Sequence, residues 1–240
     1  MNCYDVAVFT SIGSHSALNE DSVEILRNNS QLIAVVADGL GSHGGGDIAS
    51  SVAIAAIRNS LPKYGITDNA ALLSSLETAN RAVLAEHYSN VHMKSTAVIL
   101  AVEGSRASFA HVGDSRGYFF SNGLIKAQTM DHSVSQMAVL RGEITASQIR
   151  FHKNRSSLLR ALGADEQSHG EITMLDEVQR GDAFLLCTDG FWEYVNEEEM
   201  LIDLLKSDTA TQWLSYMLTR LGKRISGDYD DISAISILML

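Results

Sequence analysis

The sequence predicts an α+β protein in which two mainly antiparallel β-sheets pack together and are flanked by pairs of helices. Three observations point there. Short β-rich runs recur with turn residues between them, helical stretches come in consecutive pairs, and Ser121-Asn122-Gly123 joins two runs as a hairpin turn. Paired helices with no intervening strand argue against strict βαβ alternation, and so against a doubly wound parallel sheet.

Taken in order, residues 6–11, 21–26 and 32–37 read as strands, the last running into a glycine cluster. Two helical stretches follow. The second places Leu72, Leu76, Ala79 and Val83 on one face, with Asp68 as its N-cap. Residues 96–102, 107–112, 117–120 and 124–128 form a meander, whose short connections require antiparallel pairing. Residues 133–157 are polar, basic in their second half and weakly helical, which suits a surface flap. Beyond a strand at 183–187, Asn196 and Glu199 make a capping box, and Leu214, Met217, Leu218 and Leu221 stripe a further helix. A strand at 232–240 ends the chain. No repeat or linker interrupts this order, so residues 1–240 are expected to form a single domain.

The chain has 240 residues, 45% hydrophobic and 20% charged, enough to bury a sizeable core. With 18 basic against 29 acidic side chains, its formal charge of −11 would repel a phosphate backbone, so nucleic acid is not an expected partner. No apolar run approaches the roughly 18 residues of a membrane span, and no basic stretch precedes an apolar one at the amino terminus. A cytoplasmic protein that does not enter the membrane is expected. Cys3 and Cys187 are too few for a disulfide scaffold, and Cys187 lies in an apolar run as a small core residue.

The chemistry lies in a recurring pattern: an apolar strand delivers an acidic residue at its end, and a glycine or polar residue follows at once. It occurs at Asp38-Gly39, Asp114-Ser115 and Asp189-Gly190, while Asp230-Asp231 precedes the last strand. Each aspartate taken alone reads better as a turn or capping residue. Together they form what a hard-cation site needs, because magnesium and manganese prefer oxygen ligands, and an adjacent glycine lets a backbone carbonyl turn inward. Crowded carboxylates cannot all stay ionised unless positive charge sits between them.

The blocks Asn19-Glu20-Asp21, Asp38 to Asp47, Gly113-Asp114-Ser115-Arg116, Asp131-His132-Ser133, Leu159 to Gly163, Asp189-Gly190 and Asp230-Asp231-Ile232-Ser233 follow one another in that order. This ordered set resembles the type 2C (PPM) metal-dependent protein phosphatases over nearly the whole chain, most of all their compact bacterial branch. The resemblance implies a four-layer α-β-β-α sandwich that hydrolyses phosphoserine and phosphothreonine on proteins. It implies two manganese or magnesium ions about 3.5 to 4 Å apart, whose shared hydroxide attacks phosphorus without a phosphoenzyme. Asp38 would bridge both ions, the Gly39 carbonyl would bind one, and Asp189 with Asp230 the other. Asp114 would help form a weaker third site, and Glu20 and Asp21 would orient metal-bound water. The implied partners are phosphorylated proteins and a cognate serine/threonine kinase, with the chain acting as a monomer.

Two positions depart from the family pattern. Ser16 stands where an arginine usually grips the substrate phosphate, a loss that His15, Lys94 or the flap residue Arg155 would have to offset. Asp231 stands where asparagine is usual, and would either tighten metal binding or face solvent. Leu40 follows Asp38-Gly39 where some relatives carry histidine, leaving His43 as the nearest general acid or as a structural histidine of the glycine loop. A pseudophosphatase that binds phosphoproteins without turnover, and a phosphatase of small metabolites, are the competing functions.

Other readings fit less well. The loop Gly39 to Gly44 imitates a dinucleotide-binding turn, but Asp38 would face the pyrophosphate and the following strand is replaced by a helix. A cysteine phosphatase needs an arginine six residues after its nucleophile, and Glu193 stands there after Cys187.

Overall fold

The computed structural model describes residues 4–14, 17–27, 31–41, 44–61, 68–87, 92–175 and 177–240. Strands β1 (Tyr4–Ser11), β2 (Asp21–Arg27) and β3 (Gln31–Leu40) lead into helices α1 (Gly46–Ser60) and α2 (Asn69–Ala85). A meander of β4 (Lys94–Ser95), β5 (Ala97–Glu103), β6 (Arg106–Val112), β7 (Arg116–Ser121) and β8 (Leu124–Gln128) follows. Next come α3 (Val134–Leu140), a 3-10 turn (Ala146–Phe151), β9 (Glu171–Met174) and β10 (Ala183–Cys187). Helices α4 (Asp189–Trp192), α5 (Glu197–Leu204) and α6 (Ala210–Arg224) precede the closing strand β11 (Ile232–Met239).

The strands form two sheets, ordered β1-β11-β10-β7-β8 and β2-β3-β5-β6-β9, with β4 paired to β3. Every ladder is antiparallel. β3 explains why the sheets stack. It is buried on both faces, with Ile33, Val35 and Ala37 turned to one core and Leu32, Ala34 and Val36 to another. Such a strand must be apolar throughout rather than alternating, as residues 32–37 are.

Three cores therefore separate four layers. The first packs α1 and α2 onto β3 and β5 through Ile57, Leu72, Leu76 and Val83. The middle one joins the sheets face to face through Leu100, Phe109, Phe119, Phe184 and Ile235. The last seats α5 and α6 on β10 and β11 through Trp192, Trp213, Met217 and Leu221. This is the expected α-β-β-α sandwich. Asp68 caps α2 by accepting the Ala71 N–H at 2.8 Å, and the Glu199 carboxylate accepts the Asn196 N–H at 3.2 Å to close the capping box of α5. At the β7–β8 hairpin, Asn122 and Gly123 both take positive φ, as a two-residue turn of this kind requires.

Residues 133–157, read as a weakly helical flap, carry α3 and the 3-10 turn. Their basic side chains are partly drawn inward. Arg150 is buried, bonds the Trp192 carbonyl and reaches Glu197 at 2.6 Å. Cys187 is fully buried, as its apolar run predicts.

Candidate active site

Antiparallel pairing brings the acidic strand ends to one edge of the sandwich. Asp38 lies near the end of β3 and pairs in register with Asp21, which opens β2. Asp189 follows β10, and Asp230 comes just before β11, the neighbour of β10. Asp114 follows β6, whose partner β5 also borders β3. Five carboxylates that are scattered in sequence thus face a common space, three from strand ends and two from strand starts.

Local structure fixes their directions. The Asp38 N–H donates to Thr96 Oγ1 at 3.0 Å, and its carbonyl accepts from Ser95 Oγ at 3.0 Å and Thr96 N–H at 2.8 Å. Thr188 Oγ1 donates to Asp21 Oδ2 at 2.9 Å, tying β10 to β2 across the sandwich. Trp192 Nε1 donates to the Asp114 carbonyl at 2.9 Å. Arg116 lies 3.6 Å over the Trp192 ring and clamps Asp131 through two bonds of 2.9 and 2.7 Å, so the Asp114 loop rests on a buried cation–π and ion-pair stack.

Two glycines permit the close approaches. Gly113 has φ +98°, and a Cβ there would lie 2.6 Å from Thr96 Cγ2. At Gly39 a Cβ would sit 1.9 Å from the Gly46 carbonyl oxygen. The start of α1 is equally crowded, since a Cβ on Gly46 would lie 2.6 Å from both the Gly39 carbonyl oxygen and the Glu20 carboxyl carbon. The Gly39 carbonyl and the Glu20 carboxylate therefore converge beside the first residue of α1.

The electrostatics fit a cation site. Burial, then Asp189, Asp21, Asp114 and Asp230, all hold the Asp38 carboxyl well above the usual range. Asp189 is pushed well up by burial, Asp114 and Asp230. Burial is also the main cause that raises Asp21 and Asp114 to about 7 each, and with Asp231 and Asp47 it raises Glu20. An oxygen-only donor set whose members disfavour one another's charge fits hard divalent cations.

The sequence-predicted residues sort accordingly. Asp38, Asp189, Asp230, Asp114, Asp21, Glu20 and Gly39 gather at this edge. Arg155 pairs with Glu193 and feels the charge of Asp189, which brings it to the rim. Lys94 is exposed on β4, opposite Leu40. His15, Ser16 and His43 lie outside the described residues. Asp231 does not face solvent: it is buried, and its two oxygens accept the N–H groups of Gly13 at 2.6 Å and Glu20 at 2.5 Å. Sequence reasoning missed the Trp192–Arg116 support, for which the only signal is the Gly113-Asp114-Ser115-Arg116 block itself.

The protein phosphatase 2C family model matches residues 10–228. A serine/threonine phosphatase stp of Listeria welshimeri is 32% identical over 198 residues, 79% of this chain and 78% of that protein. Among solved structures, the serine/threonine phosphatase Stp1 from Staphylococcus aureus superposes with a TM-score of 0.87 at 25% identity, covering 99% of this chain and 96% of that one. The catalytic domain of the serine/threonine phosphatase PstP in complex with two manganese ions gives 0.79 at 26% identity, covering 100% of both chains. The chain belongs to the protein phosphatase 2C family.

Proposed function

We propose that this protein is a metal-dependent serine/threonine phosphatase whose acidic edge holds two manganese or magnesium ions. The observation that carries the reading is the convergence of Asp38, Asp189, Asp230, Asp114 and Asp21 on one space, where burial and then neighbouring carboxylates hold Asp38 and Asp189 in an unfavourable charge state. Asp38, Asp189 and Asp230, with the Gly39 carbonyl, would hold the ions; Asp114, Asp21 and Glu20 complete the shell. A bound divalent pair supplies Lewis acidity, acidifying water and offsetting charge on the phosphoryl oxygens.

The protein's own part is positioning. Thr188 and Thr96 hold Asp21 and the Asp38 backbone before substrate arrives, so little reorganisation is needed during reaction. Arg155, at the rim and anchored by Glu193, is placed to bind a substrate phosphate in the role that Ser16 cannot fill. No protein nucleophile is needed, and Cys187 is unsuited to be one, because burial pushes its thiol far up. His43 is the proposed proton donor to the departing serine or threonine oxygen.

Retention of all the acidic ligands favours turnover over phosphoprotein binding alone. Substrate choice is assigned to residues 133–157, and the opposing enzyme to a serine/threonine kinase. The chain is proposed to act as a cytoplasmic monomer; among the described residues no helix is long and apolar enough to cross a membrane. The test is hydrolysis of a phosphothreonine peptide with and without manganese, beside Asp38→Asn. Loss of turnover on chelation and in the variant supports the reading. Tight peptide binding without turnover in the manganese-loaded protein overturns it.

A further inference from the structure

Away from the acidic edge, His111 near the end of β6, His132 after β8 and Glu171 at the start of β9 form a second cluster. One donor atom from each lies within 4.8 Å of the other two. The rings stack with centroids 4.7 Å apart, and both histidines are buried, His111 at 1% exposure and His132 at 7%. Glu171 is half exposed and opens the cluster to solvent.

His111 carries the decisive feature. Its Nε2 meets the Met130 carbonyl at 2.8 Å and so bears the proton, while its Nδ1 is buried with no hydrogen-bond partner. A metal-binding imidazole has this arrangement: one ring N–H is spent on a carbonyl, which fixes the tautomer and leaves the other nitrogen's lone pair free. An orphaned nitrogen so deeply buried is otherwise a plain cost, because it gives up water without a substitute.

We propose that His111, His132 and Glu171 form a separate site for a borderline transition cation, zinc by its chemistry. Two imidazoles and a carboxylate are a zinc donor set with a fourth position left for water. His132 Nε2 and Glu171 Oε1 are 3.5 Å apart, close to the separation of about 3.4 Å between two ligands on a tetrahedral zinc ion. Manganese and magnesium, which prefer oxygen, would leave this site for the acidic edge. Burial, with the neighbouring ring, holds the His132 pKa down to about 4, and burial lowers His111, so neither ring is blocked by a proton charge near neutral pH.

A cation already sits there in substitute. Arg160 Nη1 lies 2.5 Å from Glu171 Oε1 and 3.5 Å from His132 Nε2 and donates to the His169 carbonyl at 3.3 Å, on a side chain that is 41% exposed and would have to swing out for a metal to enter. His132 must also rearrange. Its Nδ1 accepts the Gly113 N–H at 3.2 Å, so ligation through Nε2 moves the ring proton to Nδ1 and breaks that contact, next to Asp114. Zinc occupancy would therefore be felt by the loop that carries an acidic ligand.

The test is a cobalt titration of the full chain in excess magnesium, read by visible absorption, since cobalt in a tetrahedral imidazole site absorbs far more strongly than on oxygen ligands. One equivalent should give an intense band that zinc abolishes. Glu171→Ala, a change at a half-exposed position, should weaken it more than about tenfold, at least the loss seen when an outer partner of a metal ligand is removed. His111→Asn, checked for folding by circular dichroism, should remove the band. No intense band in the wild type, or equal cobalt affinity in wild type and Glu171→Ala, would overturn the proposal.

Discussion

The Asp231 carboxylate accepts the backbone N–H of Glu20 at 2.5 Å while its other oxygen accepts that of Gly13 at 2.6 Å. One side chain thus closes both ends of the segment that contains Ser16. An asparagine here offers a single acceptor oxygen, and its NH2 would face one of the two donors. Asp231→Asn should cost about 1 kcal/mol, the low end of the penalty for an unpaired donor, because both bonds are part-buried. The amide of Gly13 or Glu20 should also exchange hydrogen faster, measured by NMR. Unchanged exchange at both amides would refute this role.

Asp38 is held by burial and four neighbouring carboxylates in a state that opposes its charge. Removing it should therefore relieve the metal-free protein. Asp38→Asn should raise the melting temperature in chelator, while phosphatase activity in manganese falls by more than about 100-fold, beyond the loss expected for an outer partner. Manganese should raise the melting temperature of the wild type more than that of the variant. A lower melting temperature for the variant in chelator would show that the carboxylates are not crowded.

Arg116 and Asp131 form a buried ion pair, with side chains 4% and 2% exposed. Truncating one partner leaves a buried charge, which costs about 3–5 kcal/mol. Arg116→Met should lose stability of that order in urea unfolding. A loss below about 1 kcal/mol would mean that Asp131 finds water or another donor.

Glu199 accepts two bonds of 2.6 Å from Arg224 and one of 3.1 Å from Arg220. Arg224, with the Asn196 N–H and Arg220, holds its pKa down to about 2 from 4.5 against the opposing effect of burial. The folded pKa lies below the unfolded one, so this stability is full above about pH 4.5 and is lost as pH falls toward 2. Discounted for solvent screening, it is about 1 kcal/mol. Glu199→Gln should lower the melting temperature at pH 7 and flatten its fall between pH 4.5 and 2.5. Parallel curves for the two proteins would contradict the pairing.

Much of the architecture was legible because the strands that matter are long and apolar, and β3 announces its double burial in residues 32–37. The acidic edge was legible for a related reason: Asp38, Asp114 and Asp189 each end such a strand. β9 escaped notice because Glu171–Met174 is short, polar at one end and half exposed, so neither alternation nor an apolar run marks it. The role of Asp231 was hidden because its partners lie 211 and 218 residues away in sequence. The pairing of His111 with His132 depends on how β6 and the segment after β8 fold together, which no local pattern encodes. Arg150 read as a flap cation because its charge says nothing about the carbonyl and carboxylate that bury it.

Ser16 leaves the proposed phosphate site without the guanidinium fork that its position would otherwise supply. A hydroxyl offers one donor and no charge, whereas a bidentate arginine gives two parallel charge-assisted bonds to phosphate oxygens. A hydrogen bond to a charged group is worth about 1.5–3 kcal/mol, so Ser16→Arg should raise kcat/KM on a phosphothreonine peptide by about tenfold or more. The gain should appear mainly in KM if the arginine only grips the phosphate, and in kcat as well if it also stabilises the transition state. Arg155 provides the control, because a rim arginine that already substitutes for the missing fork becomes less important once the fork is restored. Arg155→Ala should therefore lower kcat/KM more in the natural sequence than in Ser16→Arg. Equal losses in both backgrounds would show that Arg155 does not stand in for the arginine, and an unchanged or lower efficiency in Ser16→Arg would show that this phosphate site never lacked one.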